Sequence, residues 1–175
     1  QRGTIMLRLG VAVAAALAGP SFRLYAARDI AGVELCGALK NVYALAAGAV
    51  DGAKLGASAR AGLIARAYAE LGRILPALGG MAETLGGLAG LGDLALSCTS
   101  TQSRNYRHGV ALGSGNLPDR ELAEGVFTAP VAQQIARQAG VDAPLIDAVN
   151  LLLAGNVKIE KIVAGLMTRP LKRET

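Results

Sequence analysis

A chain of 175 residues can bury one sizeable core but not two comfortable ones. It is 52% hydrophobic yet only 3% aromatic, has no Trp, and carries a moderate net charge of +5. That balance excludes disorder, and its basic residues form no stripe and have no stacking aromatics, which argues against nucleic-acid binding. Cys36, Cys98 and the single histidine, His108, offer no metal-ligand spacing and no Cys-x-x-Cys pair, so no metal site is expected. The cysteines read as buried thiols of a cytoplasmic protein, and His108 as a solvated helix residue. No run of about twenty uninterrupted apolar residues occurs, which predicts no membrane span. The opening at Gln1 rather than Met suggests a start partway through a longer protein, with residues 1–21 as the end of a preceding domain or a linker.

Taken in chain order, the Ala/Val/Leu pattern from Arg8 to Leu17 predicts a buried helix, stopped by Gly19-Pro20. Phe22 to Tyr25 alternates like a short strand or an extended link. Asp29 is placed to N-cap a long helix reaching Val50, apolar almost all round and therefore central. Residues 51–56 read as a turn, and Ser58 as the cap of a second long helix to Leu78, closed by Gly79-Gly80. A glycine-rich stretch, 86–94, leads into a helix through Ser97. The polar run Thr99 to Arg107 overlaps a helix from Arg104 to Leu112, and a loop follows at 113–118. Three further helices are predicted over 128–139, 143–154 and 157–168, with a frayed tail at 172–175. Strands do not alternate with helices, so the fold class is all-α.

Gly90-Leu91-Gly92-Asp93-Leu94-Ala95 matches the G-x-G-x-x-A form of the dinucleotide fingerprint, but only formally. That fingerprint needs a preceding strand, and Thr84-Leu85-Gly86-Gly87 has no β-branched run. Close helix packing explains the glycines better.

Three features ask for more than packing. Lys40 with Asn41 interrupts an apolar helix; a snorkelling lysine is the commoner explanation, and a proton-handling one the sharper. Asp93 lies one turn ahead of Ser97, so both share a helix face; a capping aspartate is equally compatible. Ser103-Arg104-Asn105 stands at a helix start, where a guanidinium fork, an amide and free N–H groups suit an anion. A proton donor beside a phosphate grip is the equipment for reducing a phosphorylated ketone with hydride.

At these residues the chain resembles the NAD-dependent glycerol-3-phosphate dehydrogenase family. The resemblance is carried by the block from Asp29 to Val42, by Gly87 to Leu94 with Cys98-Thr99-Ser100 and Ser103-Arg104-Asn105, and by Glu124-Gly125 through Leu166-Met167 and Pro170-Leu171-Lys172. It implies a compact multi-helix substrate-binding domain, of the 6-phosphogluconate-dehydrogenase C-terminal-like type, over residues 22–175. Residues 1–21 would be the tail of a nucleotide-binding Rossmann domain otherwise absent from the chain, which would bind most of the NAD or NADP. The reaction implied interconverts sn-glycerol 3-phosphate and dihydroxyacetone phosphate and feeds glycerophospholipid synthesis. Carried over position by position, Lys40 would serve the proton at the C2 oxygen and Asn41 would orient the substrate. Asp93 and Ser97 would contact its hydroxyl and carbonyl region. Arg104 and Asn105 would grip the phosphate with Ser103 assisting, and Arg104, Leu122 and Glu124 would lie against the cofactor. Ser97 stands where the family usually has threonine, Ser58 where it commonly has asparagine, and Ala65 and Ala67 replace a threonine and a glycine. The partners implied are the small phosphorylated substrate and the chain's own Rossmann domain; apolar surface left bare where that domain docked would favour self-association, with a homodimer as one outcome. A hydroxy-acid dehydrogenase of similar design, or a non-catalytic dimerisation module, is the competing reading; Lys40, Asp93 and Arg104 together argue against both.

Overall fold

The structure, a computed structural model, describes residues 2–118 and 121–168. The tail predicted at 172–175 and the Pro170-Leu171-Lys172 stretch lie outside the described residues. Among these, every regular element is helical: α1 (Arg2–Leu17), α2 (Ile30–Gly52), α3 (Ala57–Ala77), α4 (Ala82–Leu85), a π-helical turn (Leu88–Gly92), α5 (Asp93–Thr99), α6 (Arg104–Gly113), α7 (Glu124–Gln138), α8 (Pro144–Leu153) and α9 (Ile159–Met167).

The all-apolar character of α2 does place it at the centre. Asp29 caps it by accepting from Gly32 N at 2.8 Å, and residues 42–50 are buried without a break. By length and composition α2 could cross a membrane, although Glu34 and Lys40 interrupt its apolar run; in this fold its apolar surface is the core of the domain. The Asp29 carboxylate also accepts from Met81 N at 2.7 Å and Thr84 Oγ1 at 2.5 Å, tying α4 to the start of α2. Those hydrogen bonds, the one from Thr84 foremost, hold Asp29 below the usual carboxylate range.

The defining contact is between α2 and α6, which run in the same direction. A Cβ on Gly48 would lie 2.0 Å from Tyr106 O, and one on Gly52 2.1 Å from Val110 O. From the other side, Cβ atoms on Gly109 and Gly113 would lie 2.1 Å from Leu45 O and Ala49 O. Four glycines thus let two backbones touch where any side chain would force them apart. Gly90 does similar work, since its Cβ would meet Leu85 O at 2.2 Å. The segment before it is the short helix α4, so the formal dinucleotide match is a packing device.

Several local expectations are corrected. The first helix starts at Arg2 rather than Arg8, and it is not buried: Val11, Val13 and Leu17 are 53%, 46% and 57% exposed, because α1 stands off the helical cluster. Phe22 pairs with Gly19 in an isolated bridge rather than starting a strand. Asp51 belongs to the last turn of α2, where Arg60 and Tyr106 both donate to it. Ser58 does not cap α3; Gly56, with φ of 92°, turns the chain and the helix begins at Ala57. The helix predicted from Thr128 begins at Glu124, because Asn105 Oδ1 accepts from Gly125 N at 2.8 Å and caps it from another element.

Glu70 performs the same service for α8. Fully buried on α3, it accepts from Leu145 N at 2.8 Å, Ile146 N at 3.1 Å and Tyr43 Oη at 3.2 Å. Burial outweighs these hydrogen bonds and pushes its pKa up to about 7.

Two predictions follow from this packing. Gly109→Ala is expected to destabilise the chain by about 1–3 kcal/mol, whereas Gly37→Ala, in an open position on α2, is expected to be neutral or slightly stabilising; thermal melts compare them. Because the folded state holds the Glu70 proton more tightly than the unfolded chain, stability from this group is greatest at low pH. It falls as pH rises from about 4.5 through about 7, by on the order of 3 kcal/mol, and is constant above. Glu70→Gln should remove that slope from urea titrations run between pH 5 and 7.5.

Candidate active site

Lys40 and Asn41 sit on α2 where burial gives way to solvent: both are half-buried, and the unbroken buried run begins at Val42. Lys40 is not a snorkelling lysine. Its Nζ donates to Asp93 Oδ2 at 2.6 Å, with the two side chains 25% and 41% exposed. Asp93 is the first residue of α5, and its carboxylate reaches Lys40 rather than capping its own helix. Ser97, one turn further along α5, keeps a hydroxyl without a hydrogen-bond partner among the described residues and lines the same cleft.

The start of α6 forms the other end. Ser103 is its N-cap, accepting from Tyr106 N at 3.3 Å and leaving its own O–H free to donate. The first-turn N–H groups of the helix lack intrahelical acceptors, and the positive end of the dipole points the same way. Arg104 Nη2 donates to Glu124 Oε1 at 2.5 Å, with 50% and 41% of the two side chains exposed. Asn105 is 3% exposed. Its amide nitrogen donates to Asn41 Oδ1 at 3.0 Å and to Glu124 Oε2 at 3.4 Å, while its oxygen receives Gly125 N.

Lys40, Asn41, Ser97, Ser103, Arg104, Asn105 and Glu124 thus line one open cleft of about 440 Å³, and Asp93 joins it through Lys40. Ser100 and Gln102 also line it; they lie in the polar run already noted, but nothing in their spacing singles them out. Leu122 is 58% exposed just before α7 and is not among the lining residues. The ends of the cleft are complementary: an ammonium held by a carboxylate at one, and a guanidinium with a helix N-terminus at the other.

The remaining candidates fall outside the cleft. Burial, with help from Asp29 and Asp93, raises the Cys36 thiol, and burial alone pushes Cys98 up to about 12, so both are core thiols rather than nucleophiles. His108 is half-buried rather than solvated, and burial lowers its pKa. Among the described residues no three His, Cys, Asp or Glu side chains converge as a metal-ligand set.

Residues 29–164 match the family model described as NAD-dependent glycerol-3-phosphate dehydrogenase C-terminus, and the chain belongs to that family. A glycerol-3-phosphate dehydrogenase [NAD(P)+] of Brucella ovis is 54% identical over 163 residues, which cover 93% of this chain and 50% of the relative. The protein of the same name from Mesorhizobium japonicum is 52% identical over 168 residues, covering 95% and 49%. The chain therefore spans about half the length of the curated relatives it matches. Among solved structures, glycerol-3-phosphate dehydrogenase from Coxiella burnetii superposes with a TM-score of 0.85 at 40% identity, over 93% of this chain and 52% of that one. The Saccharomyces cerevisiae enzyme gives 0.78 at 26% identity, over 87% and 46%.

Asn105 and Arg104 are expected to differ sharply in what they hold up. Asn105→Ala leaves the buried Gly125 N–H without an acceptor and should cost about 1–3 kcal/mol in urea titrations. Arg104→Ala removes an exposed ion pair and should cost no more than about 1 kcal/mol.

Proposed function

We propose that this chain is the substrate-binding half of an oxidoreductase interconverting sn-glycerol 3-phosphate and dihydroxyacetone phosphate with NAD or NADP, and that it feeds glycerophospholipid synthesis. The observation that carries the reading is the Lys40–Asp93 pair at 2.6 Å, set in the same cleft as the Arg104 helix start. The family membership supports it.

The bound nicotinamide would supply or accept the hydride at C2. In the reducing direction Lys40 gives its proton to the C2 oxygen as the carbonyl becomes an alcohol, and in the oxidising direction it takes that proton back. Asp93 holds the ammonium in place, so the donor needs no reorientation during the step. Asn41, fixed through its carbonyl by Asn105, presents its amide N–H to the substrate's oxygens, and Ser97 adds a hydroxyl. Arg104, the α6 N-terminus and Ser103 take the phosphate, with Asn105 at its margin.

The chain would meet the cofactor only along one edge. No strand leads into its glycine-rich turn, and the family resemblance makes Arg104, Glu124 and Leu122 the residues that would lie against a cofactor held by another domain. Most of the dinucleotide would therefore be held by a Rossmann domain in the same polypeptide. Exposed Val11, Val13 and Leu17 support residues 1–21 being built to pack on that domain, or to serve as the linker to it. The two free thiols suit a cytoplasmic setting.

The test is NADH oxidation by the gene-length protein with dihydroxyacetone phosphate. Lys40→Ala should lower kcat by on the order of 10²–10⁴-fold with a smaller effect on KM. An unaffected Lys40→Ala variant would remove the lysine from the mechanism, and a wild-type protein inert towards dihydroxyacetone phosphate would remove the substrate.

A further inference from the structure

Arg107 stands one turn beyond Arg104 on α6 and is not among the residues that line the cleft. Its guanidinium nevertheless makes three contacts around the cleft's margin. Nη1 donates to Thr101 O at 2.6 Å and to Gln102 O at 3.2 Å, and Nη2 donates to Glu121. The two carbonyls belong to the loop that enters α6. The Gln102 carbonyl shares its peptide group with the Ser103 N–H, which donates to Ser100 O at 3.1 Å. That peptide is thus held at both ends, directly ahead of the Ser103 cap.

Glu121 leads the other way. Arg104 and Arg107 are three residues apart on α6, and their acids, Glu124 and Glu121, are three residues apart in the opposite order. The two ion pairs therefore lay the segment 121–124 alongside the first turn of α6, running counter to it. With the side chains of Arg107 and Glu121 39% and 58% exposed, the pair adds little stability by itself. A forked guanidinium can, however, serve two carbonyls with one nitrogen and a carboxylate with the other, which a point charge cannot. Resting on the functional reading above, with the phosphate at Ser103 and Arg104 and the cofactor along Leu122 and Glu124, we propose that Arg107 is a positioning residue that couples these two sites. One arm of its fork fixes the loop that presents Ser103 and Arg104. The other fixes the segment that presents Leu122 and Glu124.

The test uses the gene-length protein and its Arg107→Met, Arg107→Lys and Glu121→Ala variants. Phosphate affinity is read without cofactor, from the rise in melting temperature with inorganic phosphate, and NADH affinity from its fluorescence on binding. KM for dihydroxyacetone phosphate and kcat are measured beside them. Arg107→Met keeps the stem and loses the fork. It should weaken inorganic phosphate, dihydroxyacetone phosphate and NADH each by about fivefold to tenfold, with kcat within about threefold. Glu121→Ala should weaken NADH by a similar factor and leave inorganic phosphate within about twofold. Arg107→Lys keeps the charge and should recover at most one of the two affinities. Recovery of both would overturn the proposal, because charge alone would then suffice. A lower melting temperature with unchanged affinities would also overturn it, leaving Arg107 a structural residue only. If the wild-type protein does not turn over dihydroxyacetone phosphate, the functional reading falls and this role falls with it; if it does, the variants' affinities judge Arg107 alone.

Discussion

The close parallel contact of α2 with α6 sets the geometry of everything else. Gly48 and Gly52 on one helix and Gly109 and Gly113 on the other remove every side chain from the line of contact, so the backbones meet at the separation of hydrogen and oxygen atoms. At that distance the register is fixed, because a shift of one residue would drive a real side chain into a carbonyl. The register brings the start of α6 level with Lys40 and Asn41. The N-terminus of α6 and the Lys40 ammonium become neighbours through glycines one to three turns away, none of which is among the cleft's lining residues. Gly125 extends the same logic to α7, whose first residues could not reach Asn105 and Arg104 if position 125 carried a Cβ.

Buried acids complete the arrangement. Asp29, Glu70 and, at the edge, Asp51 each hold groups from other helices: the α4 segment, the first amides of α8, and Arg60 with Tyr106. A carboxylate accepts several hydrogen bonds at once, so one side chain can satisfy the orphan N–H groups of a helix start and bind two elements together. The costs differ with burial. Asp29 is a little less deeply buried and its hydrogen bonds keep it ionised, whereas for Glu70 desolvation wins, which leaves a near-neutral titration inside the fold.

This division also explains what the sequence disclosed. The long central helix, the Asp29 cap, the glycine closure after α3 and the helices near 144 and 159 were legible because their signals are local: a period, a cap one turn away, a breaker. Lys40 stood out because a charge in an apolar helix needs a reason, and Arg104 because a guanidinium and an amide stand at a helix start, whereas the pairing of Lys40 with Asp93, 53 residues away, has no local signal. The start of α7 was not, since its capping group lies 20 residues away, and no local pattern records a partner that distant. Ser58 misled for the complementary reason. It is a good cap by type, but the chain reverses at Gly56 and the helix is under way before the serine is reached. The exposure of α1 shows a further limit: apolar periodicity reports that a face is made to be covered, not which surface covers it.

Lys40 occupies the one stretch of α2 where its chemistry is affordable. Three residues further along, Tyr43 is fully buried, and an ammonium there would face desolvation away from any cleft. One turn earlier, Cys36 is already buried again under α5, so the half-open window is narrow. Within that window Asp93 arrives at the end of the π-helical turn, which adds a residue to the helical path just before α5. An α-helical path of the same length would rotate α5 by roughly a hundred degrees and carry the carboxylate off Lys40. The glycine-rich stretch that imitates a nucleotide fingerprint thus earns its glycines twice: Gly90 packs on Leu85, and the wide turn around it aims Asp93 at the lysine.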